Sequence, residues 1–436
     1  MAAISQSINN VLGGISQQPD PVKIPGQVRD AVNVYLDPTF GASKRQGTEF
    51  IANLGSDIPA DAKWFPICRD QNELYVFCIY RESNSTKVRV FAADSGQERT
   101  VTLKGSSADY LTYSDSDSLS ALTINDYTFV LNKDKTVAMK TTTSAALPNQ
   151  AFIVISVVAY NAKYSVTLNG TEYSYTTPQN VSSGVVDADA IASNLRSSLN
   201  AITGITATQV GPGIYVSGTS AFTISTSGSA AEEGIYVFQD EINVTGRLPN
   251  QCQNGYVVKV YNSDIVDADD MWVKFQTQGS ATAGPGVWEE TIAPGLKFEL
   301  DEKTMPHQLV RQANGTFKLS AIDWTERLVG DDETNPIPEF VGSTINNIFI
   351  HRNRLGFLSK DKVFLGRARD LFNLFGQTAT QVQDDDPIDL QAVTKQPVNL
   401  RYSEETSIGL VLYSDKEQFV MVTTEFVLSP KSVKLT

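Results

Sequence analysis

Little in this chain points to catalysis. Its 436 residues include only two histidines, His307 and His351, and neither an HExxH helix nor a GxSxG nucleophile elbow occurs. Zinc hydrolysis has no ligands here. His307, beside Pro306, reads as a hydrogen-bonded turn residue, and His351 as a strand-end residue facing solvent or a subunit contact. The three cysteines, Cys68, Cys78 and Cys252, are odd in number and form no CxxC pair, so neither a zinc site nor a disulfide framework is indicated. Cys68 and Cys78 lie in apolar strand surroundings and read as buried thiols. Cationic residues are also short: 35 Lys and Arg face 49 Asp and Glu, for a net charge of −14. A general grip on nucleic acid, which neutralises phosphates with Lys and Arg, is not expected. Long apolar runs are missing too. The longest, 151–160, is about half of what a bilayer span requires and reads as a buried strand, so no segment is expected to span a membrane. The start, MAAISQSINN, has neither the basic opening nor the apolar core of a signal peptide.

What the chain has in plenty is β grammar. Thr, Ser, Asn and Gly abound while Leu/Ala/Glu/Lys blocks are scarce, so strands should dominate and helices be few. The clearest stretch is 343–390, where apolar segments at 345–350, 355–358 and 363–365 are separated by polar turns, as in an antiparallel meander. The same unit occurs at 74–80, 87–92 and 99–103, again at 120–124, 126–131 and 136–140, and begins once more at 408–413 and 418–422. Divergent repeats of a small meander are the sequence form of β-propeller blades. The fold expected is mainly β, with propeller-like meander blades interrupted by an inserted α+β region. Residues 1–50 form an extended, Pro-rich strap pinned by Val28, Val32, Val34, Tyr35 and Leu36; 51–145 hold the first blades; 146–340 are the insertion; 341–436 hold further blades.

Inside the insertion, Asn169-Gly170 predicts a tight hairpin between 163–168 and 172–176. A helix should follow, capped by Asp187, lined on one face by Ile191, Leu195, Leu199 and Ile202, and stopped by Gly204. Strands at 205–210, 214–217 and 222–225 complete a small sheet, and a second strand group starts at 256–261.

Charged candidates are few. Lys44 and Arg45 before Gly47 make a solvated turn or a contact to an acidic neighbour. Arg352 and Arg354, two apart on an extended segment, share a face and could bridge carboxylates across an interface or within the chain. Asp331, Asp332 and Glu333 form an acidic linker. The run Asp384, Asp385, Asp386 has no spaced partner ligands and reads as a solvated or Arg-paired turn rather than a cation site. No cofactor is expected. The 49 acidic residues offer many carboxylate pairs, but none is singled out for glycoside hydrolysis.

HRNRLGFLS (351–359), DDDPIDL (384–390), TMPHQLVR (304–311), LGGISQQPD (12–20) and KRQGT (44–48) occur in an order that resembles the tail tubular protein B, or nozzle, family of short-tailed phages, along nearly the whole chain. Gln46 stands where that family usually has proline, and His351 where it usually has an aromatic residue. The resemblance implies a structural, non-enzymatic subunit of the virion tail, assembled in the host cytoplasm as a hexameric ring. It further implies contact with an adaptor ring and tail fibres, and transient passage of double-stranded DNA through an acidic lumen, with Asp331, Asp332, Glu333 and Asp384 to Asp386 as lumen candidates. A carbohydrate-binding or glycan-hydrolysing propeller is the alternative. Two blades precede the insertion and about two follow it, and Val433 and Leu435 alternate like the opening of another strand. Family members are longer, so further blades past Thr436 are expected, with a closed four-bladed ring as the competing reading.

Overall fold

The structure, a computed structural model, describes residues 10–83, 85–230, 234–261 and 270–436, and it is mainly β. The chain forms two units, one of residues up to 56 together with 93–97, the other of 57–92 with 98–436.

In the smaller unit, Val34–Asp37 pairs antiparallel with Gly41–Lys44. The Asp37 carboxylate holds the turn, accepting from the amides of Thr39 (2.7 Å) and Phe40 (2.9 Å). Of the five apolar residues expected to pin this segment, Val28 and Leu36 are half-buried while Val32, Val34 and Tyr35 are exposed.

The larger unit contains four meander-like sheets. The first runs Lys63–Cys68, Leu74–Glu82, Ser85–Ala92, Glu98–Arg99, antiparallel throughout. It has a leading strand that was not expected, and Val101–Leu103 leaves it to join the second sheet. Cys78 is buried, but Cys68 is exposed, because it closes a strand that alternates toward solvent.

The second sheet has the order Val101–Leu103, Phe317–Ala321, His307–Arg311, Tyr127–Asn132, Leu119–Ile124. Here the local reading failed. Residues 136–140 form no strand, only single bridges from Thr136 to Thr344 and Met139 to Leu300. The place beside Tyr127–Asn132 belongs to His307–Arg311, with His307 opposite Val130. The hairpin that turns at Asn314-Gly315 lies inside the range 146–340 expected to be the insertion, yet it is part of this sheet, with Phe317–Ala321 parallel to Val101–Leu103 at the far edge.

The third sheet follows chain order through Asn347–His351, Arg354–Ser359, Lys362–Leu365 and Ile388–Gln391. The fourth comprises Leu400–Thr406, Gly409–Ser414, Gln418–Thr423 and Val433–Leu435. Val433–Leu435 does not open another sheet. It pairs with Gln418–Thr423 and completes this one.

These sheets stack face to face in sequence order, and adjacent residues of one strand serve opposite cores. Val130 packs with Phe77, Val90 and Leu309 between the first two sheets, whereas its neighbours Phe129 and Leu131 pack with Ile348 and Phe357 of the third. Phe357 faces back to that core. Leu358 faces forward to Leu412, Phe419 and Met421 of the fourth sheet. Burial on both faces explains the continuous apolar runs of the middle sheets and their broken alternation. Each such side chain contributes about 1.5–3 kcal/mol on burial.

Between Tyr127–Asn132 and His307–Arg311 the chain builds two further sheet groups. One combines the four-stranded order Ile205–Val210, Gly213–Gly218, Gln150–Ile155, Ile235–Phe238 with the three-stranded order Thr171–Thr176, Lys163–Leu168, Ile224–Gly228. The single small sheet expected here is thus two. The 163–176 hairpin turns through Asn169 (φ 50°) and Gly170 (φ 82°), as Asn-Gly favours. Helix Ala188–Leu199 buries Ile191, Leu195 and Leu199 against these sheets, and Gly204 follows it at φ 82°. The second group is a five-stranded sheet, Glu241–Ile242, Val257–Val260, Met271–Thr277, Ala283–Glu290, Gln251–Gln253, with its own core around Tyr256 and Phe275. Among the described residues no helix is long and apolar enough to cross a membrane.

Candidate functional site

The third sheet positions a concentrated set of charged groups around Arg354. Its first hairpin joins Asn347–His351 to Arg354–Ser359 through two residues, Arg352 (φ 47°) and Asn353 (φ 61°). Two left-handed residues in succession match the right-handed twist of the strands. The turn leaves Arg352 exposed and sends Arg354 inward.

Arg354 is 1% exposed, and its guanidinium is surrounded by main-chain carbonyls. Nη1 donates to Gly366 (3.0 Å), Asp385 (3.1 Å) and Asp386 (2.7 Å); Nη2 donates to Asp384 (2.6 Å) and Leu428 (3.1 Å). A bridge to carboxylates, across an interface or within the chain, was the expectation at this position; the contacts of Arg354 seen here lie within its own chain and go to carbonyls. The strand is buried on both sides, so its inward arginine organises the acidic run from within its own chain. Burial pulls the guanidinium below its ordinary pKa, opposed by the nearby Asp385 and Asp386 charges.

The acidic run is equally engaged. Asp385 pairs with Arg367 (2.6 Å), and Asp386 accepts from the Gln383 amide (2.7 Å). In the other acidic loop, the Asp331 carboxylate accepts from the amides of Glu333 (3.1 Å) and Thr334 (3.0 Å) and from the Thr334 hydroxyl (3.0 Å). Burial would raise the Asp331 pKa, but these hydrogen bonds outweigh it and hold the group below the usual carboxylate range. Asp332 pairs with the buried Arg327 at 2.9 Å. Of the six acidic candidates, only Glu333 and Asp384 offer solvent an unpaired carboxylate. Among the described residues, no group of three or more His, Cys, Asp or Glu is arranged to hold a metal ion.

The two acidic loops do meet. An open cavity of about 590 Å³ is bordered by Glu333, Glu339, Val382, Asp386 and Asp389. Its wall is held by contacts that sequence inspection did not suggest. Asn335 donates to the carbonyls of Val329 and Gly376 and accepts from the Gly376 amide, all at 3.0 Å. Glu290, from the insertion, accepts from the Thr378 hydroxyl and the Ala379 amide, both at 2.7 Å. Neither residue carries a pattern that could have announced the role.

The histidines and the strap cations complete the account. His307 is fully buried, stacked on Tyr110 at 4.1 Å with Nδ1 3.1 Å from the Met305 carbonyl, and burial lowers its pKa to about 4. His351 does not face solvent. It is 5% exposed and stands 3.3 Å from Glu405 of the fourth sheet. Lys44 and Arg45 are exposed, and no partner for either side chain occurs among the described residues.

This geometry is that of a packed scaffold with charged loops. Comparison with known proteins decides its kind. A family model described as bacteriophage nozzle protein matches residues 1–436. The chain belongs to the bacteriophage nozzle protein family. It is 33% identical over 452 aligned positions to the tail tubular protein gp12 of Escherichia phage T7, an alignment covering 100% of this chain and 55% of that protein. This nozzle-family chain thus spans about half the length of the curated relative it matches, and it is a component of a phage tail. For such a nozzle-family chain, the Arg354 node is a structural joint between two sheets.

Proposed function

We propose that this chain is a structural, non-enzymatic subunit of the tail nozzle, assembling as a ring of six around the channel through which double-stranded DNA leaves the particle. The observation that carries the reading is the match to the nozzle family along the whole chain. The four sheets stacked in chain order are, in this reading, consecutive blades of a β-propeller, and the sheets between Tyr127–Asn132 and His307–Arg311 are a platform-like insertion. Residues 1–50 act as a strap that lies on a neighbouring copy, with the unpaired Lys44 and Arg45 meeting its acidic surface. An adaptor ring above and tail fibres at the side are the further partners.

A net charge of −14 suits a conduit, because an acidic wall repels phosphate and lets DNA slide. Glu333 and Asp384 are the loop carboxylates free to serve it. Native mass measurement of the protein mixed with its adaptor tests the assembly: six copies are expected, and a persistent monomer overturns the ring. Salt-sensitive, micromolar binding of duplex DNA to the assembled ring would overturn the sliding wall.

A further inference from the structure

The cleft of about 590 Å³ at the two acidic loops is bordered by four carboxylates, those of Glu333, Glu339, Asp386 and Asp389, and by no Lys, Arg or His among the described residues. Its charge is of one sign. Ile337, Phe364, Leu374 and Val382 line it beside them and give it an apolar wall. Hydrogen bonds of Asn335 and Glu290 pin the surrounding backbone, so the space exists before any ligand enters it.

The four carboxylates are not equivalent. Glu339 pairs with Lys362, and Asp389 accepts from the Glu339 amide at 2.9 Å. Glu333 is exposed, and its carboxylate has no partner among the described residues. Asp386 is only 7% exposed; its Oδ2 accepts from the Gln383 amide at 2.7 Å, while its Oδ1 has no partner among the described residues. Arg354 does not supply one, because its guanidinium donates to main-chain carbonyls, that of Asp386 included. Buried carboxylate oxygens are ordinarily satisfied, and leaving one unmet is costly. This one faces open space. Gly376 belongs to the cleft wall, and a Cβ placed on it would lie 3.7 Å from Asp386 Oδ1.

A bare metal ion does not suit the cleft. Among the described residues no group of three or more His, Cys, Asp or Glu is arranged to hold one, and the space is that of a small organic molecule, for which roughly 300–1,000 Å³ is usual. Negative charge beside an apolar wall selects an organic cation, whose ammonium meets a carboxylate while its methylenes cover the wall. One unpartnered carboxylate is buried and another exposed, so two charged ends are served better than one.

We propose that this cleft binds an aliphatic diamine, with one ammonium on Asp386 Oδ1, the methylenes along the apolar wall and the second ammonium at Glu333. The test is calorimetric titration of the full chain with putrescine at fixed ionic strength. One saturable site is expected, about threefold tighter than for Nα-acetyllysine methylamide, which carries a single ammonium on a stem of the same length. Asp386→Asn keeps an acceptor for the Gln383 amide but removes the buried charge, and binding should weaken at least about tenfold. Glu333→Gln should bring putrescine down to the affinity of the lysine derivative, with thermal unfolding unchanged. Should Asp386→Asn fail to fold, the wild-type comparison and Glu333→Gln still decide. Absence of a saturable site overturns the proposal, and so does competition by magnesium ions as strong as that by putrescine, which would reduce the effect to screening of an acidic surface. Equal affinity for the lysine derivative overturns the diamine and assigns the cleft to a lysine side chain.

Discussion

Arg354 of the third sheet donates to the carbonyl of Leu428, 74 residues later, at 3.1 Å, and this bond ties the connection before the last strand of the fourth sheet to the centre of the third. The same guanidinium holds three carbonyls of the acidic run. It joins two sheets that also meet through apolar side chains and through polar pairs such as His351 with Glu405.

Replacing this arginine should be severely destabilising. Arg354→Met keeps the aliphatic stem but takes a donor from five buried or half-buried carbonyls, of which that of Asp385 keeps the Ala368 amide at 3.0 Å, and a loss of about 3–5 kcal/mol is expected in denaturant unfolding. Arg354→Lys should recover only part of it, since an ammonium cannot reproduce the planar fork. A loss below about 1 kcal/mol for the methionine variant would show that water replaces the guanidinium freely.

Stability should fall on mild acidification through His307. The folded chain holds this imidazole neutral down to about pH 4, whereas the unfolded chain protonates it near the ordinary 6.5. Between those values the unfolded state binds the extra proton, so the contribution is complete above pH 6.5 and is lost as pH falls toward 4. The loss amounts to about 3 kcal/mol at most. Unfolding free energies of the wild type and His307→Leu, compared from pH 7 to 4, should converge as pH falls; parallel curves would count against the assignment.

Gly356 lies opposite Phe349 in the third sheet, and a Cβ there would overlap the Phe349 ring. Gly356→Ala should therefore cost about 1–3 kcal/mol by overpacking, despite adding only a methyl group. Thermal unfolding reads this directly, and an unchanged midpoint would mean that the ring moves aside without penalty.

Within the insertion, Asp187 caps helix Ala188–Leu199 by accepting from the Ala190 amide at 2.6 Å. Asp187→Ala should lower stability by about 1 kcal/mol, and Asp187→Ser should restore most of it. If alanine and serine behave alike in denaturant unfolding, the cap makes no net contribution.

Local chemistry was legible in the chain wherever partners are close in sequence. Asn169-Gly170 sets its own hairpin, Asp187 and the period of Ile191, Leu195 and Leu199 set the helix, and the Arg352-Asn353 turn with its flanking strands follows from alternation and turn chemistry. The order of motifs from residue 12 to 390 carried the family. Tertiary structure alone decided the rest. Residues 136–140 read as a strand and His307 as a turn residue, but it is His307–Arg311 that lies beside Tyr127–Asn132. Which segment wins an edge depends on the core it shares, and Leu309 shares one with Val130 and Phe317. Arg354 could as well have met a neighbour as its own chain until the path of 384–386 and 428 was known. An arginine's partners are chosen by where distant carbonyls are brought, and nothing in a run of residue types encodes that distance.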